Sequence, residues 1–351
     1  YGGAAQDVTI AASDDTSVEN RVGSLGVGLG GVGVGAVADV ILVNNGASAS
    51  VGAGTRIDAD RDIAVTATTV RDIDSLSTAA AGGSTAGIAG AVSVISVGAR
   101  TEGDARDNTS GSVDKAAQMV SGSATGDQLA DDNSAASASA QRADAARSGV
   151  ALNGDFNAAP PASTAAATVA SGATLDAGRH VDVKADNQTT TNAIAVGAAV
   201  SGGLSLGGGV AIAMVDDRTL ATLAGSTNAG GNVHVHAIDH QAGTSTLRTY
   251  AGGAGLAGLA ASYAWHDKGS TAQARLGGVV IAGGAVSVDA DIDHNLVANG
   301  GAAAVGVVGV GAAIAQVDQD SAASAELLDN TTVTAAGLSV ASDAKSSAGA
   351  D

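Results

Sequence analysis

The chain has 351 residues and a formal net charge of −19, and its apolar 45% is mostly Ala and Val, with one Trp, one Phe and three Tyr. That acidity excludes the electrostatic footprint of a protein that binds nucleic acid or anionic lipid, and the lack of large side chains excludes a thick globular core. Cys is absent, so disulfides and thiolate metal sites are excluded as well.

Taken in order, the chain repeats one unit. It begins with an alternating strand, Asp7–Ala12 (DVTIAA), followed by a Gly/Val block over Gly23–Val43 and a connector over Arg56–Arg61. The same parts return as Asp62–Ala67, Ala79–Val97 and Thr174–Arg179, then as His180–Ala185 and Val196–Val215. They return again as Asn232–Ala237, Ala251–Trp265 and Val279–Gly284, then as Ala285–Ala290, Gly300–Val317 and Thr332–Gly337, and Leu338 opens a last unit. The first apolar residues of the strands are Val8, Ile63, Val181, Val233, Val286 and Leu338, spaced by 55, 118, 52, 53 and 52 residues. A fixed period of this size marks a stacked architecture. The long gap is one unit plus an insertion, placed at 107–165, within which the Ala-rich stretch 131–148 predicts a helix and Asn153–Pro161, with Phe156, a returning loop.

Period-two alternation puts Val8/Ile10, Ile63/Val65, Val181/Val183, Val233/Val235, Val286/Val288 and Leu338/Val340 inward. Turn formers such as Ser13-Asp14-Asp15, Asp186-Asn187 and Asp291–Asp293 predict a corner soon after each strand. The Gly-rich blocks predict that the face turned away from the core is also covered, by a sheet, the insertion or another chain. Two coils of about 26 residues or three of about 17 fit one unit. The expected fold is therefore all-β: a parallel β-helix, or β-solenoid, with repeats over 1–106 and 166–351 forming one body around the insertion. The Gly content does not indicate collagen, because the third-residue Gly period is missing. The chain opens at Tyr1 with no signal peptide or anchor and is expected to be an internal fragment. No long lipid-compatible run appears, since Val27–Val43 is broken by Asp39.

The I/V-x-A-G-x-V-x-V-x-A pattern, as in Val280–Ala290 (VIAGGAVSVDA), resembles the filamentous haemagglutinin class of secreted bacterial adhesins, and the Gly/Val blocks resemble leukotoxin-like filamentous adhesins. The resemblance covers nearly everything outside the insertion. It implies a right-handed parallel β-helix, an extracellular or cell-surface location, and a role in adhesion or in spacing an adhesive tip. The shared motifs are structural, so the resemblance carries over no functional residues.

Four constellations bear on chemistry. His234, His236 and His240 are the only His cluster, and alternating His can bind Zn²⁺ or Cu²⁺ when a further ligand converges; a solvated strand face is the plainer reading. Asp289, Asp291 and Asp293 lack the Gly-assisted curvature of a Ca²⁺ loop. Tyr263 and Trp265 share a strand face and, with Phe156, are the candidate ligand contacts, set to stack on sugar or to fill a gap in the core. Gly28–Gly33 lacks the helix and distal acid of a dinucleotide loop. No catalytic, metal or cofactor residues are assigned. The leading expectation is a non-enzymatic adhesin segment that acts as a stiff spacer or filament-building rod, with itself or surface glycans as partner. The alternatives are a carbohydrate-binding segment and, behind it, a glycan-active enzyme.

Overall fold

The computed structural model describes residues 6–98 and 163–351. The chain winds through three parallel sheets in turn. The first circuit is β1 (Val8–Gly28), β2 (Val32–Val43), β3 (Ala47–Val51) and β4 (Arg56–Ala59), and the second is β5 (Ile63–Gly83), β6 (Ala86–Val97), β7 (Ser163–Val169) and β8 (Thr174–Ala177). The third is β9 (Val181–Ser201), β10 (Leu204–Leu223) and β11 (Ser226–Ala229). The fourth is β12 (Val233–His240), β13 (Ser245–Ala254), β14 (Ala257–Leu276) and β15 (Val279–Ala282). The fifth is β16 (Ala285–Val305), β17 (Val308–Leu327) and β18 (Thr332–Thr334), and β19 (Gly337–Ala350) lies on β16.

The first sheet stacks β1, β5, β9, β12 with β13, β16 and β19, all parallel. The second stacks β2 with β3, β6 with β7, β10, β14 and β17. The third stacks the short strands β4, β8, β11, β15 and β18. This is a parallel β-solenoid. Val181 lies beside Val233 and Val233 beside Val286, so one circuit consumes the whole interval between recurring strands. The expected division into two or three coils is thereby corrected. So is the corner expected after each short motif: β1, β5, β9 and β16 each run straight on for 21 residues. The polar residues that resembled turn formers belong to the strand, and two of them, Asp14 and Asn187, face the interior. The final approach to the third sheet turns through left-handed backbone at Gly54, Gly172, Gly278 and Asn330, a conformation that Gly and Asn adopt with least strain.

The insertion expected at 107–165 lies outside the described residues as far as 162, and its last three residues belong to β7. Strand β10 pairs with β6 up to Val97 and with β7 from Ser163 onward. The chain therefore leaves the second sheet and re-enters it at nearly the same place on the ladder.

Two apolar clusters fill the interior. One gathers Ile63, Val65, Leu175, Val181, Val183, Leu223 and Val233 beside the third sheet, and the other gathers Ile73, Ile95, Val97, Val215 and Leu247 further along the strands. Each large aliphatic side chain fully buried here contributes roughly 1.5–3 kcal/mol. The inward strand positions expected from alternation are buried on the middle rungs. On β19, Leu338 and Val340 are 49% and 42% exposed, because β19 has a paired strand on one side only.

Beyond the second cluster the first and second sheets close until their backbones touch. The glycines serve that approach. A methyl group on Gly33 would collide with the Gly82 carbonyl, and one on Gly207 with the Gly252 carbonyl. The Gly face is thus the inner face; outside it the glycine margin is exposed, while further along the second sheet the outward Val94, Ile212, Met214 and Trp265 are covered, as expected of the outer face. The Leu and Val side chains between these glycines point to solvent, as at Leu25 and Val27. Gly90 faces open space. Gly207→Ala is therefore expected to destabilise the fold by about 1–3 kcal/mol, while Gly90→Ala changes it by less than about 0.5 kcal/mol. Urea midpoints of the two variants check this, and equal effects would refute the close-approach account.

Candidate functional site

The outer face of the second sheet holds the expected aromatic pair. Val92, Val210 and Tyr263 form one row across the rungs, and Val94, Ile212 and Trp265 form the next. Trp265, Ile212, Met214 and Val94 are at most 8% exposed and pack as one cluster, with Tyr263 half-buried against it. The Trp265 indole N–H donates to Asp318 Oδ2 at 2.7 Å. Burial and the neighbouring Asp318 push the Tyr263 phenol above its usual range. The structure thus brings Tyr263 and Trp265 together, but the Trp ring and its donor are already engaged, which favours packing over a sugar platform. Phe156 lies outside the described residues.

The His cluster sits on the outer face of the first sheet. His234 and His236 meet edge to face with ring centroids 5.5 Å apart, and both approach the Ser287 hydroxyl, at 2.8 and 3.3 Å. His236 lies 3.3 Å from Asp289, and His240 lies 3.3 Å from Asp186. The Asp186 contact raises the His240 pKa above its ordinary value. These are rung-to-rung contacts between partly exposed groups. Among the described residues no three His, Cys, Asp or Glu side chains come together in a way that could hold a metal ion. Asp289, Asp291 and Asp293 alternate along one outward face of a straight strand rather than curling around a point.

The residues that sequence reasoning missed lie inside. Between the two apolar clusters a line of buried polar groups runs from rung to rung. Asp39, whose charge breaks the longest apolar stretch, is an inward residue that accepts hydrogen bonds from Asn20 and Ser75. Arg71 is fully buried; it donates to Asn45 Oδ1 at 2.6 Å and to Asn187 Oδ1 at 2.8 Å, and reaches Asp217 at 3.4 Å. Lys268 Nζ donates to Asp217 Oδ2 at 2.8 Å. Asn187 donates to Asp239 Oδ1 at 3.2 Å, and His294 Nε2 stands 3.3 Å from the same oxygen, at ion-pair distance but without hydrogen-bond alignment. Arg71, Asp217, Lys268 and Asp239 alternate in sign, so each of these buried charges has an opposite neighbour, without which it would be prohibitively costly, whereas Asp39 is met by neutral donors. Burial pulls the Arg71 pKa down against the attraction of Asp217. Burial alone would raise the Asp239 carboxyl, but Lys268 and His294 outweigh it and hold Asp239 below the usual range. His266, two residues before Lys268 on the same strand and wholly buried, is pushed down to about 3 by burial and then by the Lys268 charge.

Comparison of the chain with protein-family models, with curated proteins and with solved structures finds no match in any of the three. The adhesin resemblance therefore rests on the strand motif and the Gly/Val blocks of the sequence alone.

Two outcomes are expected. Trp265 is the only Trp, so intrinsic emission reports its site directly: it should be blue-shifted and poorly quenched by acrylamide. Solvent-like emission that moves when oligosaccharide is added would instead restore the sugar-platform reading. The second outcome concerns acid. The unfolded His266 takes up a proton near 6.5 and the folded one only near about 3. The unfolded state therefore holds the extra proton in that window, and stability falls as pH drops through it, by up to about 1.4 kcal/mol per pH unit. Asp239, lowered in the fold, adds loss of the same sign below its unfolded value. His240, raised in the fold, acts the other way: its contribution is present below its unfolded value and lost as pH rises through the folded one. Urea melts of wild type and His266→Leu between pH 7 and 4 check this; an unchanged slope in the variant would remove His266 from the account.

Proposed function

We propose that this chain is a non-enzymatic structural segment of a large extracellular bacterial surface protein or fibre, working as a stiff spacer or filament-building element. The observation that best supports this reading is the parallel pairing of every rung with the next in all three sheets. Such a stack resists bending and shear through ladders of backbone hydrogen bonds, and it presents edges only at its two ends. Three interior features add to that resistance: contacting backbones at the glycine corner, aliphatic clusters, and paired buried charges. The likeness of the strand motif to filamentous haemagglutinin-type adhesins supports the surface location. No helix among the described residues is long and apolar enough to cross a membrane.

The corner where the first sheet turns into the second supports side-by-side assembly. Its exposed side chains are apolar on most rungs: Leu25 and Leu29, Val200, Leu256, Val305 and Val307, with Leu29 94% and Val307 85% exposed. No charged residue falls within 22–38, 193–215 or 295–317. Two strongly acidic bodies repel elsewhere, and this uncharged ridge is where they can approach.

Electron microscopy and sedimentation of the purified native protein test the proposal. Elongated particles or fibres with a spacing of about 4.8 Å along the axis are expected. Leu29→Lys, Leu256→Lys and Val307→Lys together should leave the stack intact and abolish lateral association. Cleavage of a polysaccharide by the purified chain, or particles with no stacked repeat, would overturn the reading.

A further inference from the structure

We propose that the interior between the third and fifth rungs is a water-binding chamber, formed where the fourth rung withholds a side chain and lined by Asp239, His266, Ser270 and His294. The inference starts from a break in register. Strand β12 pairs as far as His240, opposite Asp293 and Gln188, and β13 resumes at Ser245, opposite Leu296 and next to Thr191, whose N–H donates to Ser245 Oγ, with Thr246 opposite Asn192. The four residues Gln241–Thr244 therefore stand opposite only two on each side, Thr189 and Thr190 below and His294 and Asn295 above. Such an expansion bends the strand away from its ladder. Gln241 is half-buried, and Ala242, Gly243 and Thr244 are exposed. The excursion is fixed on the surface by Gln241 Nε2 donating to Ser245 Oγ at 3.0 Å, the Asn295 N–H to Gln241 Oε1 at 2.8 Å, and Asn295 Nδ2 to Thr244 Oγ1 at 2.9 Å.

Consequently no inward side chain of the fourth rung stands between Thr189 and His294. With strands about 4.8 Å apart, the third and fifth rungs leave one strand's width at this point. The side chains around the gap are polar and at most 4% exposed. His294 Nε2 reaches Asp239 Oδ1, while His266 Nε2 meets Thr191 Oγ1 at 3.3 Å. Ser270 and Lys268 also act on the Asp239 carboxylate. Besides His294 Nε2, four atoms here have no hydrogen-bond partner in the protein: Asp239 Oδ2, His266 Nδ1, His294 Nδ1 and Ser270 Oγ. Unpaired buried polar atoms beside the point where a rung withholds its side chain are what an internal water satisfies, since each water needs two to four polar partners. A bound metal ion is the poorer occupant, because these side chains do not converge with ligand geometry and because Lys268 already supplies positive charge.

A crystal structure of the whole chain, at a resolution that shows ordered solvent, tests the proposal. One or more waters are expected within about 3.2 Å of at least two of the four atoms. In solution, oxygen-17 relaxation dispersion should detect long-lived water, and Ser270→Ala, which removes one lining hydroxyl while keeping the strand, should lose part of that signal. Direct pairing of the four atoms with one another, or a dry gap together with no long-lived water, would overturn the proposal. It stands apart from the surface role: a chain that forms no fibre could still hold the water, and a dry interior would leave the fibre reading untouched.

Discussion

The constraint on which the rest depends is that like positions stack on like positions. In a parallel ladder with one circuit per rung, every side chain sits about 4.8 Å from its counterparts above and below. An inward position must suit not one environment but a column of them. Ile63 beneath Val181 and Val233 is such a column, and so is Gly33 beneath Gly87. This explains the composition: a wall repeated along an axis favours small, β-branched residues that pack on themselves, and large aromatic rings find few columns that admit them. Trp265 escapes the rule by lying on the outside.

The same constraint makes the interior charges informative. A column of identical charges would be ruinous, so Arg71 on the second rung, Asp217 on the third, and Lys268 and Asp239 on the fourth are staggered between the first and second sheets and alternate in sign from neighbour to neighbour. The cost of burying them is offset by their neighbours, and their arrangement discriminates between registers: a slip by one residue would turn each charge away from its partner and out of the interior. Buried polar groups used to fix register are the best-attested role for such networks.

The strand motifs were legible because Val and Ile recur at alternate positions and at constant spacing. The inward face of each motif could be assigned from that alone, and the stacked fold followed. Strand length was not legible, because Asp14, Asn187 and Asp293 carry strong turn signals. A counter-signal was present: neither Gly nor Pro occurs anywhere from Ile63 to Ala81 or from Lys184 to Val196, and a chain that must turn would normally place one there. The buried line stayed hidden for a related reason. Period two marks a face but not which medium it meets, so a charged residue in an inward column looks like one facing water. The aromatic pair was correctly placed on one face, whereas its burial depends on Met214 and Ile212 from the adjacent rung, a contact that no linear pattern reveals.

A strand of 21 residues spans roughly 70 Å, whereas each circuit advances the stack by only about 4.8 Å. The cross-section is therefore a broad, thin blade, pinched shut along its glycine margin. Resistance to flexure scales steeply with depth in the plane of bending, so a column of this section is rigid edgewise and compliant across its thickness. A structure so proportioned is a leaf spring: it can lie down against a surface or a neighbour through its thin direction while refusing to buckle in the other.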